Sequence, residues 1–115
     1  MARAIVAVPS VAKRGDVIEI RTLIAHPMET GFRTDADGRR VPRDLIRRFT
    51  CRYNGEVVFA AEFFPAVAAN PSLVFHTIAV ESGTLAFTWE GDNEFAQTET
   101  AASLETAPFV QADRP

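Results

Sequence analysis

Between Val17 and His26 the sequence alternates, placing Ile18, Ile20, Thr22 and Ile24 on one face of an extended chain and Glu19, Arg21 and Leu23 on the other. Successive side chains of a strand point to opposite faces, so this spacing predicts a strand half buried against a core. Pro27 has no N–H to give a ladder and biases His26 toward extended geometry, so the pairing is expected to stop there. From His26 to Leu45 the chain is rich in charge, glycine and proline. Loops of that length inside compact domains are usually functional or disordered, and a functional loop is the expectation here.

Turn signals cut the rest of the chain into similar pieces. Arg3 to Val8 reads as a first strand, closed by Pro9 and a polar linker that ends at the turn pair Gly15-Asp16. After the long loop, Ile46 to Tyr53 reads as a third strand, with Phe49, Cys51 and Tyr53 on one face and Arg48, Thr50 and Arg52 on a wet one. Asn54 and Gly55 both tolerate the positive φ that a two-residue type I′ turn demands, so Glu56 to Phe64 is expected to return antiparallel. Pro65 to Pro71 breaks that strand and crosses to Ser72–Val80, and Ser82-Gly83 reads as another hairpin turn, into Thr84–Glu90. There Leu85, Phe87 and Trp89 share a face; Gly91-Asp92-Asn93 then turns the chain into a last strand from Phe95 to about Glu105.

Seven such strands without a helical period predict an all-β chain, an immunoglobulin-like antiparallel β-sandwich, with a small barrel as the alternative. The immunoglobulin Cys–Trp–Cys pattern is absent, so the expectation concerns architecture alone. At 115 residues the chain, 1–115, has the length of a single domain. Nine phenylalanines are available, enough for several to supply most of a core while others meet a partner.

The formal net charge of −3 argues against general nucleic-acid binding. The charge is unevenly spread. Residues 33–52 hold seven arginines against three aspartates, whereas residues 81–105 hold Glu81, Glu90, Asp92, Glu94, Glu99 and Glu105 with no basic neighbour. Such polarity reads as two solvated faces, or else as a device that orients an acidic partner or an anionic ligand. Arginine suits oxyanions because its planar fork donates two parallel hydrogen bonds. No apolar run approaches the ~18–20 residues that span a bilayer, so no membrane insertion is expected. The apolar run at the N-terminus is also too short for a secretory signal, which by itself points to the cytoplasm.

Chemistry-bearing constellations are few. Cys51, His26, His76 and Met28 have the residue types of a copper site, but such sites draw several ligands from one tight loop, and Cys51 falls in mid-strand. Burial there would raise its pKa and leave it inert. Asp35-Ala36-Asp37-Gly38 resembles the opening of a calcium loop, yet position 46, where the bidentate glutamate belongs, is Ile, so a tight turn is expected. No triad, phosphate loop or H-E-x-x-H motif is present. The expectation is therefore no enzyme, no metal and no cofactor. The alternatives are a small redox protein using Cys51 as a thiol beside arginines, and a β-sandwich binding module for an unrelated partner. His26 reads as a strand-end residue capped by solvent, and Phe32 and Phe63-Phe64-Pro65, being at turns, offer apolar area to a partner.

Leu23 to Gly31, Asp35 to Gly38 through Pro42-Arg43, Arg48 to Cys51, Asn54-Gly55, Pro65-Ala66, Asn70-Pro71 and Phe87 to Trp89 closely resemble the SoxZ family, in order and spacing, from Val8 to about Leu104. That family supplies the small subunit of the SoxYZ sulfur carrier of bacterial thiosulfate oxidation. The resemblance implies a sandwich that pairs with SoxY as a heterodimer or a dimer of heterodimers. It also implies transient docking with other thiosulfate-oxidising Sox enzymes, and a periplasmic location reached by co-export on the partner's signal. The sulfur chemistry of the family occurs on a cysteine of SoxY, in a Gly-Gly-Cys-Gly-Gly run absent here, so the cargo-bearing role does not pass to Cys51. The partner-binding residues expected on these grounds are His26, Met28, Phe32, Arg33, Arg43, Phe64, Pro65, Asn70 and Pro71.

Overall fold

The alternation of residues 17–24 becomes the middle strand of a sheet, because only a centrally paired strand can bury every second side chain without leaving ladder groups unpaired. A computed structural model describes residues 3–100 and 105–107. Nine strands are found there: β1 (Ala4–Ala7), β2 (Val11–Lys13), β3 (Val17–Ile24), β4 (Ile46–Tyr53), β5 (Glu56–Glu62), β6 (Ser72–Ile78), β7 (Leu85–Gly91), β8 (Ala96–Thr100) and β9 (Glu105–Ala107). Seven of them build two antiparallel sheets, ordered β1-β3-β6 and β5-β4-β7-β8. The remaining two, β2 and β9, pair parallel. An all-β sandwich is thus the fold, with two strands beyond the seven expected.

The core lies between the sheets. Ile18, Ile20, Thr22 and Ile24 of β3 are buried on one side, and Phe49, Cys51, Tyr53, Leu85, Phe87 and Trp89 on the other. Phe49 is the hub: its ring centroid lies 5.3 Å from Trp89, 5.8 Å from Phe75, 6.2 Å from Phe59 and 6.3 Å from Phe87. Offset and edge-on aromatic contacts at such distances add to the area they bury.

Local turn chemistry is realised at Asn54 and Gly55, whose φ values of 51° and 87° close the β4–β5 hairpin. Four other expectations need correction. Ser82-Gly83 does not close a hairpin, because β6 belongs to one sheet and β7 to the other. Its shape comes from outside: the Asn54 side chain donates to Glu81 and the Ser82 carbonyl and accepts from the Thr84 N–H, steering the crossing. Thr50 is buried rather than wet, sitting between Ala60 of β5 and Thr88 of β7 with Arg48 and Arg52 before and after it. The linker after Pro9 contains β2, paired with β9; of the last strand expected from Phe95 to about Glu105, β8 covers Ala96–Thr100 and residues 101–104 lie outside the described residues. β3 stops at Ile24, two residues before the expected end, where its neighbour β6 reaches Ser72 and Pro71.

Candidate functional site

The 26–45 segment is an ordered arm folded back on itself. Glu29 and Asp44 exchange N–H to C=O bonds of 2.8 Å each, and Val41 N–H donates to the Arg33 carbonyl at 2.8 Å. Its tip is the tight turn expected at Asp35 to Gly38, where the Asp35 carboxylate accepts from the Asp37 and Arg39 N–H groups at 2.9 Å. An aspartate at the start of a turn supplies this acceptor geometry. Gly31, at φ +90°, packs against Arg43, and a Cβ there would lie 3.2 Å from the Arg43 Cβ, so both conformation and space call for glycine.

Two buried side chains root the arm. His26 is 5 % exposed, so the solvent-capped strand end is overturned. Its Nδ1 accepts the Met28 N–H at 3.0 Å, which leaves the proton of the neutral ring on Nε2, 3.6 Å from an Asp44 carboxylate oxygen. Its ring meets Phe95 edge-on at 5.1 Å. The backbone of His26 exchanges two bonds with Asn70: His26 N–H to the Asn70 side-chain oxygen at 3.0 Å, and Asn70 N–H to the His26 carbonyl at 2.8 Å. Met28, at φ 51°, is buried, and its sulfur accepts the Ile46 N–H at 3.3 Å.

Arg43 and Asp92 join the two charge blocks that read as separate faces. The Arg43 fork donates through Nε and one terminal nitrogen to the two Asp92 oxygens, 2.8 Å each, and the Leu45 N–H donates to the same carboxylate at 3.1 Å. Those Arg43 bonds, more than any other cause, hold the Asp92 carboxyl below its ordinary value. Such a group stabilises the fold above the ordinary value of 3.8, and the contribution fades as the pH falls through the lower folded value. Asp92→Asn is expected to cost about 1–2 kcal/mol, since Arg43 is half exposed, and to remove that acid-sensitive component. Thermal unfolding followed between neutral and acid pH measures both.

The structure places the expected contact residues in three groups. Arg43, Phe64 and Pro65 line one groove of about 550 Å³, with Leu45, Arg47 and Arg48. Phe64 is 62 % exposed there, while its neighbour Phe63 is buried. Phe32, 75 % exposed on the arm, has the Arg40 guanidinium 6.0 Å from its ring centroid. Arg33 forks onto Glu29 at 2.6–3.2 Å and lowers that carboxyl's pKa. His26, Met28 and Pro71 are buried and present little surface of their own, and Asn70 is exposed beside them. Asp92, Asp44 and Phe95 went unpredicted as parts of this site; the opposite charges of segments 33–52 and 81–105 were the one signal for Asp92. Among the described residues no group of three or more His, Cys, Asp or Glu side chains is placed to hold a metal.

Comparison with known proteins bears on this geometry. The family profile described as "Sulphur oxidation protein SoxZ" matches residues 6–102. No curated protein sequence matches the chain. A superoxide reductase (neelaredoxin) from Ignicoccus hospitalis shares the fold with a TM-score of 0.67 at 15 % identity, over 90 % of this chain and 80 % of that one. The sulfur carrier protein SoxY from Chlorobium limicola f thiosulfatophilum shares it with a TM-score of 0.63 at 7 % identity, over 90 % and 78 %. At such identities the likeness is one of fold.

Proposed function

This chain belongs to the SoxZ family of sulphur oxidation proteins, and from that premise we propose that it is the non-catalytic subunit of a SoxYZ sulfur carrier. It pairs with SoxY and helps present the sulfur adduct on the partner's cysteine to the thiosulfate-oxidising enzymes. The observation that carries this reading is the state of Cys51, the one cysteine of the sequence. It is fully buried in β4, and burial pushes its thiol up to about 11. A thiol with neither access nor charge neither attacks nor carries a sulfur species, so the cargo belongs on another chain.

The surface fits a mount for that chain. Phe64 and Phe32 offer exposed aromatic area, and the groove next to Phe64 is bordered by Arg47 and Arg48 together with Glu62 and Glu90. Anionic thiosulfonate groups presented nearby would meet guanidinium donors of matching geometry. No helix among the described residues is long and apolar enough to cross a membrane. The working location is the periplasm, reached together with the partner.

Coexpression with SoxY is the direct test. A complex that survives affinity purification and gel filtration, as a heterodimer or a dimer of heterodimers, is the expected result. A stable monomer that leaves SoxY behind would remove the proposal.

A further inference from the structure

Along one side the sandwich ends in two strands that are each paired on a single flank. β5 is bonded to β4 and β6 to β3, and among the described residues no strand lies beyond either. The two are stacked over one another: the Phe59 and Phe75 rings lie 4.2 Å apart and within 8° of parallel. Between the edges opens a groove of about 570 Å³, lined by Glu56, Val58, His76, Ile78, Val80 and Glu81 among others.

The two edges differ in what they offer. β5 carries a bulge at Val58, where Cys51 faces Phe59 but Arg52 faces Val57, and a bulge turns an edge away from further pairing. β6, with the sequence SLVFHTI, has no proline, lysine or bulge. Its register shows which backbone groups are unused. Ala79 N–H donates to the Asp16 carbonyl and Ile24 N–H to that of Pro71, so the close pairs between them fall at Ile18–Thr77, Ile20–Phe75 and Thr22–Leu73. The N–H and C=O groups of Val74, His76 and Ile78 therefore point to the open side. Val74 and Ile78 are each 51 % exposed.

We propose that the open edge of β6 receives an extended strand of the partner subunit, which continues the β1-β3-β6 sheet across the interface. This inference rests on the pairing with SoxY proposed above. Main-chain bonds to Val74, His76 and Ile78 hold the added strand, and alternate apolar side chains cover Val74, Ile78 and Val80. Charge selects the occupant. Glu56 and Glu81 stand on the groove, whose lining has no lysine or arginine; Glu19, 3.5 Å from His76, is already paired with Arg21, which lies across from Val74. A strand bearing a basic residue fits this rim; a second copy of the same edge would set acid against acid.

Val74→Pro deletes one unused N–H without touching a bond to β3, and Val74→Lys leaves the backbone intact but places a charge on the edge. With coexpressed SoxY, each variant that unfolds cooperatively is expected to bind at least tenfold more weakly than the unsubstituted chain. Amide exchange at Val74 and His76 is expected to slow on complex formation. Where Val74→Pro fails to fold, Val74→Lys and the exchange data decide. Unchanged affinity of Val74→Lys, or exchange at Val74 and His76 unaffected by SoxY, overturns the inference while leaving the pairing itself standing. Self-association through this edge without SoxY overturns the occupant. Failure of the unsubstituted chain to bind SoxY overturns the parent reading, and this one with it.

Discussion

Phe49→Ala is expected to lower the free energy of unfolding by about 3–5 kcal/mol, the range for truncating a fully buried aromatic ring. Phe49 is 0 % exposed and touches four aromatic neighbours from both sheets, so the cavity it leaves cannot be filled by movement of one side chain. Against a total stability of about 5–15 kcal/mol for a domain, the variant would sit near the edge of unfolding. Urea titration measures the loss. Phe32→Ala and Phe64→Ala provide the contrast, because rings 75 % and 62 % exposed should change stability by about 0.5 kcal/mol or less. Similar losses for all three would mean that the phenylalanines are not divided between core and surface as described.

Cys51 of the folded chain is expected to resist a thiol reagent at neutral pH and to react rapidly once the chain is denatured. Burial removes access and raises the thiol from 9.0 to about 11, which alone cuts the thiolate fraction about a hundredfold. The same shift affects stability at high pH. Above about pH 9 the unfolded chain releases the proton while the folded chain keeps it, so stability is full below that pH and falls as the pH rises to about 11. The loss over that window is about 2–3 kcal/mol, and it should be absent in Cys51→Ala. Fast labelling of the folded protein would instead revive the reading of Cys51 as a redox thiol.

Much of the architecture was readable in advance. The two-residue period at Ile18 to Ile24 gave the buried face of β3 residue by residue, and Asn54-Gly55 gave the hairpin and its positive φ angles. Both are properties of a few consecutive residues, settled by where a strand's side chains point and by which backbones tolerate φ above zero. Ser82-Gly83 carries the same kind of local signal and misled, because its conformation is imposed by Asn54, 28 residues earlier.

The candidate site was less legible because its bonds are non-local. Arg43 and Asp92 are 49 residues apart, and each reads alone as a solvated charge until β4 and β7 pair and bring them together. His26 follows a strand and precedes a proline, the usual setting of an exposed end; Asp44 from the returning limb of the arm, and Asn70 and Phe95 from two other segments, surround it.

By itself the sequence determined seven of the nine strands, the apolar face of most of them, the Asn54-Gly55 turn, and which family it resembles. The tertiary structure alone decided which phenylalanines are core, which charges cancel and which strand edge stays open. The physical reason is that alternation and turn preference act over a few neighbouring residues. Burial, ion pairing and an unpaired edge exist only after distant strands have taken their places in two sheets.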